Sequence, residues 1–562
     1  MLKSYSFPKY PYCRSADQDA AVSNTHPVVI IGAGPIGLAA AVDFSIKGIP
    51  VVVLDDNNTV SVGSRAVCYA KRFLDISDRL GVGQRLIDKG VTWNVGKVFF
   101  EDKQVYGFDM RPEKHHRRPG FINLQQYYLE QYYVERLAEF PSASMRWKNK
   151  LIAISQEQDL VSLTVETPEG PYQIKAQYVV ACDGANSNTR ALCGLESKGE
   201  VFEDRFLIAD IIMQDKSFPP ERWFWFNPPF HNGSSTLLHR QPDNLWRIDF
   251  DLGWDADPEV EKRPENIIPR VKAFLGDDIE FELEWSSVYT FCCRRMQNFR
   301  DKRIFFAGDA AHQVSPFGAR GANSGIEDID NLVWKIQLAL EGKATVKLLD
   351  SYSEERVLAA DENILNSTRS TDFITPKNRA NKVMRDAVLG LAKEFSFARP
   401  LVNSGRLSLP PVLKNCSHIS PDLQHFNATI EPGSPCTDAP VLVNDDEVFL
   451  LSQLGEHFQC LVFIDDLETL NSTEIDQLQA LSELAQPIQP YIITQEVTAT
   501  TLPASINLLI DHRGLIAQRL DSNDRCCYLL RPDQIVAGRS RAFNFKLITQ
   551  MQHRALGDPT DV

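Results

Sequence analysis

Three short apolar runs organise the chain, each closed by a glycine-bearing turn. VVII at 28–31 enters Gly-Ala-Gly, YVVA at 178–181 enters Cys-Asp-Gly, and IFFA at 304–307 enters Gly-Asp. Such runs, bounded by turn residues, read as strands buried on both faces, as a parallel sheet requires. After the first, PIGLAAAVDFSI reads as an Ala/Leu-rich helix, and VVVLD as a second strand ending at Asp55. Ile326, Ile329, Val333, Ile336 and Leu340 recur at helical spacing, so a helix with one buried face begins near 321–324. RFLIADIIM, TLLHRQPDNLWRIDFDL and FELEWSSVYTF differ: they are β-branched and aromatic with turn signals between, the pattern of antiparallel strands. From 398 to 440 the chain is Pro-rich and irregular, a linker signature.

The turns carry the chemistry. Gly32-x-Gly34-x-x-Gly37 lies between strand and helix, with Pro35 and Ile36 opening the helix. Gly32 permits the tight turn, Gly34 lets a pyrophosphate approach the backbone, and Gly37 lets helix and strand pack closely. The helix N-terminus offers free N–H groups to the anion, and Asp55, with Asp56 beside it, stands where a carboxylate can hold a ribose hydroxyl. This pattern predicts a dinucleotide but does not separate NAD from FAD. Asp183-Gly184, followed by Ser187 and Arg190, and Gly308-Asp309 supply two further turns, which suggests several edges of one extended ligand.

Taken together, Gly32-x-Gly34-x-x-Gly37, Asp183-Gly184 and GDAAHQVSPFGARGANSGIEDIDNLVWK at 308–335 resemble the single-component flavoprotein aromatic hydroxylases of the p-hydroxybenzoate hydroxylase type. The resemblance covers roughly 27–400. It implies an FAD site built from Gly32, Gly34, Pro35, Ile36, Gly37, Asp55, Asp56, Arg65 of GSRAV, Gln126 of QYYLEQ, Asp183, Gly184, Gly308, Asp309, Pro316, Gly318, Gly321, Ala322 and Asn323. In that likeness Asp309 holds the ribityl chain, Pro316 lies beside the flavin ring, and the helix near Gly321 points its N–H groups at the pyrimidine edge. Asp183-Gly184 is implicated in NAD(P)H binding, and NADH or NADPH is expected as a transient co-substrate without its own Rossmann domain. The implied activity is hydroxylation of an aromatic, phenolic compound with O2, through a flavin C4a-hydroperoxide.

The expected architecture is α/β: a Rossmann-like, glutathione reductase-type FAD-binding domain, an inserted antiparallel substrate sheet and a thioredoxin-like C-terminal domain. The boundaries are an extension at 1–26, FAD-binding segments at 27–200 and 293–400, the substrate sheet at 201–292, a linker at 401–440 and the last domain at 441–562. The segment 93–118 joins the substrate sheet. SPCTDAPV, LGEHFQCLVFID and CYLLRPDQIVAGR resemble the C-terminal domain of the phenol and hydroxyphenylpropionate hydroxylase branch, with a role in packing or homodimer formation. It has no CxxC pair, so redox activity there is not expected.

For the substrate, His239, Arg240, Arg247 and Tyr289 are candidates to hold a phenol or carboxylate, with Pro316, His239 and Arg247 as the catalytic set. If 236–241 alternates, His239 and Arg240 face opposite ways and one of them reaches the pocket. His239 is the candidate base. ERWFWFNPPFH at 221–231 is either an aromatic pocket wall or core. Two alternatives stand beside the hydroxylase. One is a flavin-dependent halogenase, because Trp223-x-Trp225-x-Asn227-Pro228 is similar to WxWxIP; the other is a non-catalytic FAD-binding protein.

A net charge of −15 argues against a nucleic-acid partner. The eleven scattered cysteines suggest neither a zinc site nor a dithiol motif and fit a reducing cytoplasm. The N-terminus lacks the apolar core of a signal peptide, and no uncharged run is long enough to span a bilayer.

Overall fold

The structure, a computed structural model, describes residues 2–63, 65–110, 114–214, 218–231, 234–403, 407–496 and 502–558. Ser64 of GSRAV, 111–113 of the joining segment and 404–406 of the linker lie outside the described residues. The chain divides into two compact units: 1–112, 119–329 and 360–409 form one, and 113–118, 330–359 and 410–562 the other. Residues 330–359 group with the second unit.

The first unit holds two large sheets. One has the order Arg300–Asp301, Ile304–Phe306, Tyr172–Ala181, Thr25–Ile31, Val51–Asp55, Ala143–Trp147, with Val161–Glu166 added antiparallel to Tyr172–Ala181 and Lys150–Gln156 antiparallel to Val161–Glu166. Its four central strands run parallel, which is why their sequences are unbroken apolar runs. Helix Pro35–Ile46 is buried on every side from Ile36 to Ser45, as its Ala/Leu-rich composition requires.

The second sheet has the order His312–Gln313, Glu282–Met296, Ser197–Ile212, Leu245–Gly253, Thr236–Arg240, Arg222–Phe226, Val95–Phe100, Lys103–Asp109. Every pairing is antiparallel except Arg222–Phe226 with Val95–Phe100. Its two faces bury different things. Leu207, Ala209, Ile211, Trp225, Leu238, Trp246, Ile248 and Phe250 pack with Ile267, Val271 and Leu275 of helix Pro264–Leu275. Phe206, Phe224, Phe226, Leu237 and Phe291 face the other way, with Phe317 against them.

The second unit is built on a seven-stranded mixed sheet whose middle strands Phe458–Phe463, Ile488–Thr494 and Asn507–Ile510 are parallel. Alternation gives it two apolar faces. Cys460, Val462 and Ile492 meet Leu478, Ile548 and Met551, while Leu461, Phe463 and Ile493 meet Val441, Leu450 and Ile516. Within this unit, a network of four buried charges joins Lys335, Glu355, Arg531 and Asp533. Lys335 Nζ lies 3.0 Å from Glu355, and Arg531 donates to Glu355 at 2.6 Å and to Asp533. The helix Gly321–Leu340, expected to bury one face, thus also buries the lysine of its Asn-Leu-Val-Trp-Lys end. Among the described residues, no helix is long and apolar enough to cross a membrane.

Candidate active site

The three turns meet because three strands end flush. Ile31 pairs with Ala181, and Ala181 with Phe306, so the chain leaves the sheet at one level in three neighbouring places. The next residues continue the ladder: Cys182 N–H donates to Ile31 O at 2.8 Å and Ala307 N–H to Ala181 O at 3.0 Å. Ligands of open parallel sheets bind outside this carboxyl edge.

Two glycines of the first loop have a steric reason. Gly32 lies at φ +100°, and a Cβ there would stand 2.6 Å from Cys182 O; a Cβ on Gly37 would stand 2.0 Å from Gly32 O. Gly34 and Gly184 are different, since a Cβ on either meets nothing within 4 Å. These two backbones border open space, as a pyrophosphate cradle requires. Ile36 ties this loop to the third turn: it lies against the Cα positions of Gly308 and Gly325, where a Cβ would approach it to 3.1 and 2.8 Å.

Two side chains lash the second turn to the third. Arg190 donates to Ala310 O at 2.7 Å and Ala185 O at 2.9 Å, and Gln313 donates to Ala185 O at 2.9 Å. Asp328, two turns into the helix that starts at Gly321, accepts from Gly308 N at 2.9 Å and meets His312 Nε2 at 2.7 Å. Asp328, His312 and Gln313 were missed as separate residues by the sequence reading. The signal was present in the spacing of GDAAHQ and GIEDID.

Asp309 sits in the middle of this frame. Its side chain is open to solvent yet walled by protein, so it lines an internal cleft. The surrounding protein pushes its carboxyl up, while His312 and Arg65 pull it down. Arg65 acts electrostatically on Asp309 and Tyr289, and it makes no hydrogen bond among the described residues. Gly321 begins its helix beside Asp309, with Gly321 and Ala322 partly open. Pro316 is exposed, and Phe317, next to it, is buried. Gly318 at φ +104° and Ala319 at +55° turn the chain between them and the helix. An open glycine cradle, a cleft carboxylate and an uncommitted arginine fit an FAD.

Several residues expected to touch a cofactor also have side chains that bond within the protein. Asp55 accepts from Ala33 N at 2.6 Å and Asn57 N at 2.8 Å, and Asp56 is exposed beside Asn57. Gln126 accepts from Ala66 N at 3.0 Å and donates to Glu130 at 2.8 Å. Asp183 caps the next helical turn through Ser187 and Thr189, at 2.6 and 2.8 Å. Asn323 accepts from Ala70 N at 2.8 Å and donates to Cys68 O at 3.0 Å, pinning strand Cys68–Ala70 to the glycine turn.

The second sheet turns a polar stripe toward the same turn. His239 stands opposite Arg247, Arg247 opposite Asp210, and Asp210 opposite Trp285. Arg222 and Asp249 interact electrostatically with His239, and Tyr289 with Arg247. Phe317 anchors the turn to this face, 5.0 Å from Phe206 and 5.5 Å from Phe291 between ring centroids. Burial pushes His239 down, leaving a neutral imidazole at pH 7. Tyr289 is pushed up by burial, which keeps its phenol protonated.

The sheet places two of the candidate features. One edge of Arg247 is committed, because its Nε and Nη2 donors meet the two oxygens of Asp210 at 2.8 Å. Of the two alternatives for the aromatic stretch, core describes it, split between the two faces of the sheet. Trp225 packs under helix Pro264–Leu275, with Trp223 partly buried beside it, and Phe224 and Phe226 face the turn. Arg240 lies 5.7 Å from the Trp246 ring, and His231 meets Asp251 O at 2.7 Å. Strand alternation decided each case.

Glycine turns at the carboxyl edge of a parallel sheet, faced by a second sheet with a buried polar stripe, define a flavoprotein-type nucleotide-binding fold. The chain belongs to the FAD binding domain family, whose model matches residues 25–367. It is 27% identical over 539 residues to a 3-(3-hydroxy-phenyl)propionate/3-hydroxycinnamic acid hydroxylase of Shigella sonnei strain Ss046, covering 93% of each chain. Among solved structures it resembles the flavin-dependent monooxygenase PieE in complex with FAD and substrate, with TM-score 0.79, 20% identity and coverage of 96% of this chain and 100% of that one. Aklavinone-11 hydroxylase with FAD and aklavinone superposes at TM-score 0.74 with 18% identity, covering 95% of this chain and 100% of that one. These two structures establish the likeness of fold. The halogenase alternative is not favoured.

Proposed function

We propose that this chain is an FAD-dependent monooxygenase that uses NADH or NADPH and O2 to hydroxylate a small phenolic compound. The observation that carries the reading is the meeting of three flush strand ends around a cleft lined by Asp309, with the His239 stripe turned toward it. The backbones at Gly34 and Gly184 would hold the pyrophosphate, Asp309 the ribityl hydroxyls, and the helix start at Gly321 with Arg65 the electron-rich end of the ring system. When bound, the flavin supplies hydride acceptance from NAD(P)H and activation of O2.

The protein's own side chains bind, orient and exclude water. Phe206, Phe291 and Phe317 close an apolar end of the substrate face, which suits a flat ring. At the other end His239, neutral and buried, can accept a proton from a ring hydroxyl, which makes the ring more electron-rich. Arg247 and Asp210 form a satisfied ion pair that fixes the strand beside it. Substrate is held by the residues left uncommitted around this pair, Tyr289 and Arg65 among them.

The test is direct. Purified protein should carry or take up FAD, and NADH or NADPH oxidation should be stimulated by a phenol, with one oxygen atom from 18O2 in the product. The panel should include 3-(3-hydroxyphenyl)propionate, the compound in the matched relative's name. A protein that stays colourless with added FAD, or yields no oxygenated product across the panel, refutes the reading.

A further inference from the structure

We propose that Asp249 is a positioning residue for His239: it holds the imidazole as the Nε2–H tautomer, so that Nδ1 accepts the proton of a substrate's ring hydroxyl. This rests on the hydroxylase reading and adds the receiving atom and the group that readies it.

One oxygen beside the His239 ring is unmatched. Asp249 Oδ2 lies 3.6 Å from His239 Nε2, and Asp249 Oδ1 is buried with no hydrogen-bond partner among the described residues. A buried carboxylate oxygen without a donor is costly, so the nearby imidazole N–H is drawn to this carboxylate. That fixes the proton on Nε2. On the other side, Cys68 Sγ is 3.9 Å from Nδ1 but only 3.1 Å from Asn123 Oδ1. A thiol has one proton, and the closer acceptor takes it. Burial pushes this thiol up to about 11, so no thiolate competes at neutral pH. Among the described residues, Nδ1 therefore keeps a lone pair with no donor nearer than this thiol.

The groups around the ring set its charge. Cys68 faces it from strand Cys68–Ala70, Arg222 from Arg222–Phe226, and Arg247 and Asp249 from Leu245–Gly253. Asp210, from Ser197–Ile212, neutralises Arg247, and Tyr289 approaches from Glu282–Met296. The arginines and burial keep the ring neutral at rest, and Asp249 stabilises it once protonated. In the proposed step the hydroxyl O–H bond breaks, the proton moves to Nδ1, and the oxygen keeps the electron pair. Nothing is oxidised or reduced. The strand carrying Cys68 is pinned to the glycine turn by Asn323, which places this acceptor at the site.

The test uses the full-length FAD-loaded protein and 4-nitrophenol, whose anion is read by its visible absorbance. Wild type should bind the probe with a larger anionic fraction than free probe at the same pH. Asp249→Asn should lower the bound phenolate-to-phenol ratio about tenfold or more while flavin content and Tm hold. His239→Gln should abolish the ionisation, and Cys68→Ala should leave it unchanged. An unchanged ratio in Asp249→Asn, a Cys68→Ala loss as large as that of Asp249→Asn, a fully protonated bound probe or no binding to wild type would each overturn the proposal. Should Asp249→Asn not fold, Asp249→Glu decides: a ratio within about threefold of wild type supports the proposal, and a larger fall overturns it. Because the readout is ionisation of a bound probe, it can fail while NAD(P)H-driven hydroxylation of other phenols succeeds, and the reverse.

Discussion

Glu355→Gln should open the core of the second unit. The Glu355 carboxylate is fully buried and accepts from Arg531 at 2.6 and 3.1 Å, Lys335 at 3.0 Å and Asn331 at 2.5 Å. With Asp533 it balances two buried cations. The amide keeps the volume, removes one negative charge, and replaces an acceptor oxygen by a donor facing Arg531. Breaking a buried pair from one side typically costs about 3–5 kcal/mol, since a charge is left uncompensated. Lys335 limits the loss, because burial, opposed by Glu355, already lowers it to about 8, and without Glu355 it can shed its proton. Hydrogen exchange at pH 7 on peptides covering Phe458–Phe463 and Cys527–Leu530 reads the opening free energy directly. The expected fall is about 3–5 kcal/mol, with part of it recovered when all four charged residues are replaced by apolar or neutral ones. A fall below about 1 kcal/mol in Glu355→Gln would refute the reasoning, since a pair of that worth is no better than a surface one.

Other expectations follow from the same geometry. In acid the sign is fixed: burial pushes Glu355 up, but Arg531 and Lys335 outweigh it and hold the carboxyl far below its usual value of 4.5. Its stabilisation is complete above that pH and lost as pH falls further, so acid titrations of the second unit should be flatter in Glu355→Gln. Gly37→Ala should yield protein of low flavin content, because the added methyl meets Gly32 O at 2.0 Å; full FAD occupancy measured by absorbance would contradict the packing. Arg190→Met removes charged hydrogen bonds to Ala310 O and Ala185 O and should raise hydrogen exchange at 183–190 by about 1.5–3 kcal/mol of opening. Cys68, with its thiol near 11, should resist alkylation at pH 8 in the folded protein and react after denaturation, as peptide mass spectrometry would show.

The parallel sheet and its turns were legible in the amino-acid order because both are local. A strand buried on two faces must be an apolar run, and a turn that brings two backbones to contact must be glycine, as at Gly32 and Gly37. The helix start near Gly321 was readable for the same reason. The resemblance of the three motifs to one flavoprotein family then tied them to a single ligand.

What escaped the linear reading is pairwise and distant. Whether Arg247 is free depended on Asp210, thirty-seven positions away on the next strand. Whether Trp225 or Phe226 faces the turn depended on which side of the sheet helix Pro264–Leu275 covers. Composition marks both as apolar, and one residue of register exchanges them. The partners of His239, Cys68 and Asp249, come from strands separated by well over a hundred residues. Local order thus set where the chain is straight, where it turns and where a phosphate can approach. The choice of which polar groups are satisfied and which are left to meet a substrate belongs to packing, because a hydrogen bond is a property of two atoms brought within about 3 Å by the whole fold.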